Sequence, residues 1–208
     1  VQRMCWALAG AATQAAGLRE MFGTMLKPFL IGRAAQNGLI AALLAAEGMS
    51  GSERAIEAPR GFAQVLSTKQ DYTAICGGLG DSYEILLNTY KPYPCGVVIH
   101  PSLDACIRLK QEHELTADDI ESVNLRVHPL VLELTGNKTP RTGLQGEFSV
   151  YHAVSAALCF GQVDVAGFTD DIFRDPRGMA LRDRISAVVD DSMHEARAMA
   201  VSYTHLRA

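Results

Sequence analysis

The sequence is poor in the features that mark several large classes of protein. Its five cysteines are an odd number, with no CxxC pair and no Cys/His ligand spacing. That speaks against both a disulfide framework and a zinc site, and a reducing, cytoplasmic setting is the expectation. Basic charge is not in excess: 19 Lys and Arg stand against 23 Asp and Glu, a formal net charge of −4. Neither nucleic acid nor an anionic membrane surface is therefore an expected partner. No apolar run reads as membrane-spanning, because Arg33, Gln36 and Asn37 interrupt the best candidate, residues 28–46. Internal repeats, low-complexity tracts and a signal-peptide pattern are all missing from the sequence. Gly78-Leu79-Gly80 lacks a third glycine and a convincing strand before it, which argues against a dinucleotide loop.

What is present is apolar material: 48% of 208 residues are hydrophobic, enough for one large domain or two small ones with a real core. Residues 1–67 are rich in Ala, Leu and Gly and read as helices. The longest is expected from Pro28, a residue favoured in a first helical turn, to a C-cap at Gly48. Its Gly32, Ala34, Ala35, Gly38, Ala41 and Ala42 let neighbouring helices approach closely. Short helices are expected at about 52–57 and 61–66. Over residues 68–142 the pattern changes to strand and helix: a strand at about 83–90, a helix from about Val97 or Pro101 to Glu112, and "IESVNLRV" alternating as a half-buried strand. Thr116 is an expected N-cap. Residues 143–200 return to helix through "EFSVYHAVSAALCFG" and a segment at 176–185. The expected fold class is α+β: a mainly helical domain, 1–67 with 143–200, interrupted by a small α/β domain at 68–142.

Two lysines stand out. Lys27 precedes the expected start of the long helix, where the macrodipole disfavours a cation and Ser, Asp or Thr would serve better. Ammonium and unpaired N–H groups would converge there on an anion, with Arg33 able to add a second positive charge. Lys91 lies in "NTYKPYPCGVVIH", whose two prolines fix two φ angles and remove two donors. The segment reads as a stiff turn that holds Lys91 at a fixed angle, with Tyr90, Tyr93 and His100 nearby. A solvated or snorkelling lysine is the competing reading at each position. Together they suit a small substrate with several carboxylates, gripped between domains.

The blocks "GLREMFGTMLKPFLIGRAAQNGLIAALLAAEGMSG", "APRGFAQVLS", "YKPYPCGVVIHPSLDAC" and "PRTGLQGEFSVYHAVSAAL" resemble the MmgE/PrpD family, in unchanged order over residues 1–184. The resemblance implies a large helical domain and a smaller α/β lid, a homodimer, and no metal or organic cofactor. It implies a lyase or isomerase that acts on a small anionic di- or tricarboxylate by dehydration, decarboxylation or epimerisation. It places Lys27 and Lys91 on the family's active-site lysines, with Arg33, Tyr93, His100 and Tyr151 as candidate substrate contacts. Leu26 and Leu30 depart from it, standing where many members have Thr and His. The family's remaining Asp and His acid/base residues belong to a half that precedes Val1. A non-catalytic relative that keeps only the helical dimer surface is the alternative.

Such chemistry builds negative charge on carboxylate oxygens, which pre-oriented ammonium groups stabilise. Cys95, Cys106 and Cys159 sit in apolar contexts and read as buried small hydrophobes; His128 reads as structural, and His152 lies with Tyr151 on a helix expected to pack near the domain junction. "TDDIFRDPRG" reads as a solvated helix start. The first residues read as the interior of a helix. The last eight, "VSYTHLRA", resemble the translation of an adapter used in preparing DNA libraries, so 201–208 is expected to stand outside the fold. On these grounds the 208-residue chain is expected to be inactive and poorly stable by itself.

Overall fold

The computed structural model describes residues 1–161 and 163–193 in full and 203–207 as backbone. The contacts divide the chain into two units, 1–21 with 25–89, and 22–24 with 90–208.

The first unit is built on two helices, α1 (Gln2–Thr13) and α2 (Leu26–Ala46). Small residues let them meet: a Cβ added at Gly10 would lie 3.0 Å from the Cβ of Ala41. Ala9, Ala41 and Ala45 are buried along this seam. α2 ends as expected. Gly48 takes φ +96° and donates to Ala45 O, while Met49 N–H donates to Leu44 O, the paired bonds of a Schellman cap. Its start differs, since the helix begins at Leu26 and so takes Lys27 into its first turn rather than leaving it ahead of the helix. A second correction concerns length. At 21 residues α2 is long and apolar enough, by length and composition alone, to cross a membrane despite Arg33, Gln36 and Asn37.

Two short helices follow, α3 (Phe62–Leu66) and α4 (Tyr72–Cys76), the latter capped by the Asp71 carboxylate. Residues 53–57 form turns instead of the expected helix. The expected strand at 83–90 is also absent. Glu84–Leu87 is a 3-10 turn whose Ile85, Leu86 and Leu87 are exposed, because a strand needs a neighbour to accept its ladder bonds and none pairs here.

The second unit carries α5 (His100–Glu112), β1 (Ser122–Val127), α6 (Pro129–Thr135), α7 (Gly143–Gly146), α8 (Val150–Phe160), α9 (Asp170–Phe173), α10 (Pro176–Asp183), β2 (Ile185–Val189) and β3 (Tyr203–Arg207). The fold class is α+β, with a sheet in the order β2-β1-β3. β1 alternates between buried and open positions as its sequence predicts. It pairs in parallel with β2, Val123 opposite Ile185, and antiparallel with β3, Ser122 opposite Arg207. β2 takes up Ile185, which had been expected to end a helix. Thr116 caps nothing; its N–H and hydroxyl both donate to Asp119 in a turn. Of the tail expected to stand outside the fold, 203–207 forms β3, and the rest lies outside the described residues.

α8 is the centre of this unit. Residues 150–158 are all buried, and α5 and α10 pack against the helix. Ser149 caps its start, and Gly161, at φ +70°, ends it. The grouping of α8 with α5 differs from the expected division, which set 143–200 apart from 68–142. An apolar helix packs against whatever apolar face reaches it, and here that face belongs to α5.

His152 on α8 is a core histidine. Its Nε2 lies 3.2 Å from Gly167 O, and its ring packs on Phe168 and Phe173. Burial pushes its imidazole down to about 4, against the bond to Gly167, so the ring is neutral and Nε2–H donates. The unfolded chain takes up a proton near pH 6.5 and the folded one only near 4, so stability should fall as pH drops through that window. The expected loss is roughly 3 kcal/mol. Urea midpoints measured from pH 7 to 4 should show it, and His152→Gln should flatten the slope.

Candidate functional site

The loop before α5 is organised by its prolines and by one lysine. Lys91 is exposed, and its ammonium donates to Cys95 O at 3.0 Å, folding the side chain back over the segment Pro92–Pro94. The loop is anchored from below. Gly96 N–H donates to Glu147 O at 2.9 Å, and a Cβ at Gly96 would stand 2.7 Å from the Thr135 methyl group. Only glycine fits there without moving a buried neighbour. A 3-10 turn, Val97–Ile99, then leads into α5, with Pro101 in its first turn.

His100 opens α5 and is buried, with 7% of its surface exposed. The Tyr93 ring meets it edge-on, with centroids 5.3 Å apart and planes at 87°. Burial lowers the imidazole below its ordinary value, and the Lys91 charge works in the same direction, while the backbone at Cys95 and Tyr93 and the charge of Asp104 oppose it. The ring is therefore neutral at physiological pH, and its Nε2 is buried with no hydrogen-bond partner. Beside it, Cys95 is buried and its thiol is pushed up to about 12 by burial. It is no nucleophile, in keeping with its expected structural role.

Tyr93 is half-buried and donates its phenol proton to Asp104 at 2.5 Å. Burial first, and this bond second, push the phenol up to about 12. Asp104 was missed in the sequence. Its signal was present nonetheless, since it stands four residues after His100 and so shares a face of α5 with it.

The structure thus brings Lys91, Tyr93 and His100 together. Lys27 and Arg33 lie on α2, in the other unit. Lys27 is half-buried, while Arg33 is exposed and donates to Gln36 at 2.8 Å. Arg33 lines a groove of about 540 Å³ with Gln14, Phe29, Leu30 and Asn37, so the apolar Leu30 faces the same space. Tyr151 is buried in α8, with Lys138 Nζ 5.8 Å from its ring centre. Among the described residues, no hydrogen bond or ring contact joins it to Lys91, Tyr93 or His100.

Chemically, the Lys91 cluster combines a cation for carboxylate oxygens with a phenol and a neutral imidazole. Residues 93–206 match the model of the MmgE/PrpD C-terminal domain, and residues 1–75 match that of the MmgE/PrpD N-terminal domain. The first match starts close to the boundary between the two units. A cis-aconitate decarboxylase of Aspergillus terreus (strain NIH 2624 / FGSC A1156) is 26% identical over 180 residues, 79% of this chain and 37% of that protein. A 2-methylcitrate dehydratase of Escherichia coli O157:H7 is 27% identical over 170 residues, 79% of this chain and 35% of that protein. The chain thus spans well under half the length of these two curated relatives.

Proposed function

This chain belongs to the MmgE/PrpD family, and from that premise we propose that the protein is a cofactor-independent lyase or isomerase acting on a small polycarboxylate. The observation that carries the reading is the fixed ammonium of Lys91, tied to Cys95 O beside Tyr93 and the neutral His100. Removing a proton next to a carboxylate, or losing CO2 there, loads negative charge onto carboxylate oxygens. A cation already in place stabilises that charge without first having to be ordered. Lys27 is the second such group. Arg33, Tyr93, His100 and Tyr151 are candidate contacts to substrate.

The two named relatives suggest the reactions to try, dehydration of 2-methylcitrate and decarboxylation of cis-aconitate. A lid role for residues 68–142, a homodimer and a cytoplasmic location belong to the same proposal.

A second reading has its own support. Leu26 is half exposed and Leu30 lines the Arg33 groove, so apolar groups stand where many members of the family carry Thr and His. A relative that keeps the helical scaffold without turnover fits that exchange. An NMR product assay with 2-methylcitrate, citrate and cis-aconitate separates the two. Turnover of any of these acids by the full-length protein is the expected result, and turnover of none favours the scaffold.

A further inference from the structure

Tyr93 has one proton to give, and Asp104 takes it. The bond is short, 2.5 Å, and lies at the surface, which is the length expected when the acceptor is an ionised carboxylate. The phenol oxygen then has only lone pairs left to offer. The oxygen meets a ligand as an acceptor, with the negative charge of Asp104 behind it. A substrate carboxylate is repelled at that point, whereas a hydroxyl group can donate to it.

Lys91 offers the complement. It stands two residues earlier on the same proline-stiffened loop and carries three donors and no acceptor. One donor is used by Cys95 O, which leaves two for a carboxylate. Tyr93 packs its ring on His100 and Lys91 is tied to Cys95 O, so both groups are fixed on the same short loop. A donor for carboxylate next to an acceptor for hydroxyl is the imprint of a hydroxy acid.

We propose that the Tyr93–Asp104 pair is a specificity device that selects hydroxyl-bearing polycarboxylic acids, with Lys91 taking a carboxylate and Tyr93 Oη accepting a hydrogen bond from the substrate hydroxyl. Asp104 is the positioning residue, touching no substrate and fixing the direction of the tyrosine's bond. This rests on the reading that the protein binds small polycarboxylates, and it narrows that class. 2-Methylcitrate carries such a hydroxyl and cis-aconitate does not.

Citrate and tricarballylate test it, because they share three carboxylates and differ by one hydroxyl. In calorimetric titrations of the chain, citrate should bind at least about tenfold more tightly. The ratio stays far below the discrimination of a fully buried hydroxyl site because this pair is open to water. Tyr93→Phe and Asp104→Ala should each bring the ratio close to one. A second readout needs no ligand. The ultraviolet difference titration between the wild type and Tyr93→Phe isolates the ionisation of Tyr93, and Asp104→Ala should bring it down toward that of an ordinary tyrosine. An unmoved titration means the bond does not exist and overturns the proposal. Equal binding of the two acids, or a preference that survives Tyr93→Phe, overturns the selection alone. Binding of neither acid removes the polycarboxylate reading along with it.

Discussion

In the full-length protein, replacing Lys91 by Met should lower kcat/KM for the acid substrate by about two to three orders of magnitude, roughly 3–4 kcal/mol of transition-state stabilisation. Folding should suffer far less. The ammonium is exposed and makes one described hydrogen bond, to Cys95 O, and such a bond contributes only about 1 kcal/mol net. The gap between the two losses separates a catalytic lysine from a loop-bracing one. A purely structural Lys91 would show a lower unfolding midpoint with kcat/KM nearly intact. Lys27→Met should cost activity on the same scale, through its own carboxylate. Normal turnover in both variants would remove the electrostatic role of these residues. A loss confined to KM would mean that the lysines bind ground state and transition state alike.

That test was legible before any coordinates, and the reason is local. Two prolines around Tyr93 restrict the backbone whatever the rest of the chain does, so the stiffness of 91–95 could be read directly. The same holds for Gly48, where a left-handed residue must follow a helix, and for β1, whose alternation survives in its burial. Features that depend on distant partners were not legible. Ile85–Leu87 has the composition of a strand but no neighbour to pair with. Ile185 was expected to end a helix and instead opens the strand Ile185–Val189, because β1 accepts its ladder in parallel, a pairing that no local pattern announces. The site divides in the same way. Lys91, Tyr93 and His100 lie within ten residues and could be grouped from sequence, whereas the direction of the Tyr93 bond follows from the fold of the loop onto α5, which brings the phenol to Asp104.

Expressed alone, the 208-residue chain should self-associate, and α2 is the cause. Within a 21-residue helix only Ala41 and Ala45 are buried, while Phe29, Ile31, Leu39 and Leu43 each leave more than half of their surface open, at 55%, 69%, 62% and 59%. An apolar face of this length exceeds what soluble monomers ordinarily expose, and at about 25 cal/mol per Å² each such side chain gains on the order of 1–2 kcal/mol when covered. Lipid is a poor cover for it. Arg33 sits near the middle of the helix, where a charged side chain costs about 2.5–3.5 kcal/mol in hydrocarbon, and Gln36 and Asn37 add polar groups beside it. A protein surface that buries the leucines and leaves Arg33 at the edge avoids that cost. Sedimentation should therefore show association that grows with concentration and does not need vesicles. Ile31→Glu with Leu43→Glu should shift the chain toward monomer, since both residues are exposed and neither supports the α1 seam at Ala41 and Ala45. A chain that stays monomeric at all accessible concentrations, or that associates only when vesicles are added, would show that the face is satisfied in some other way.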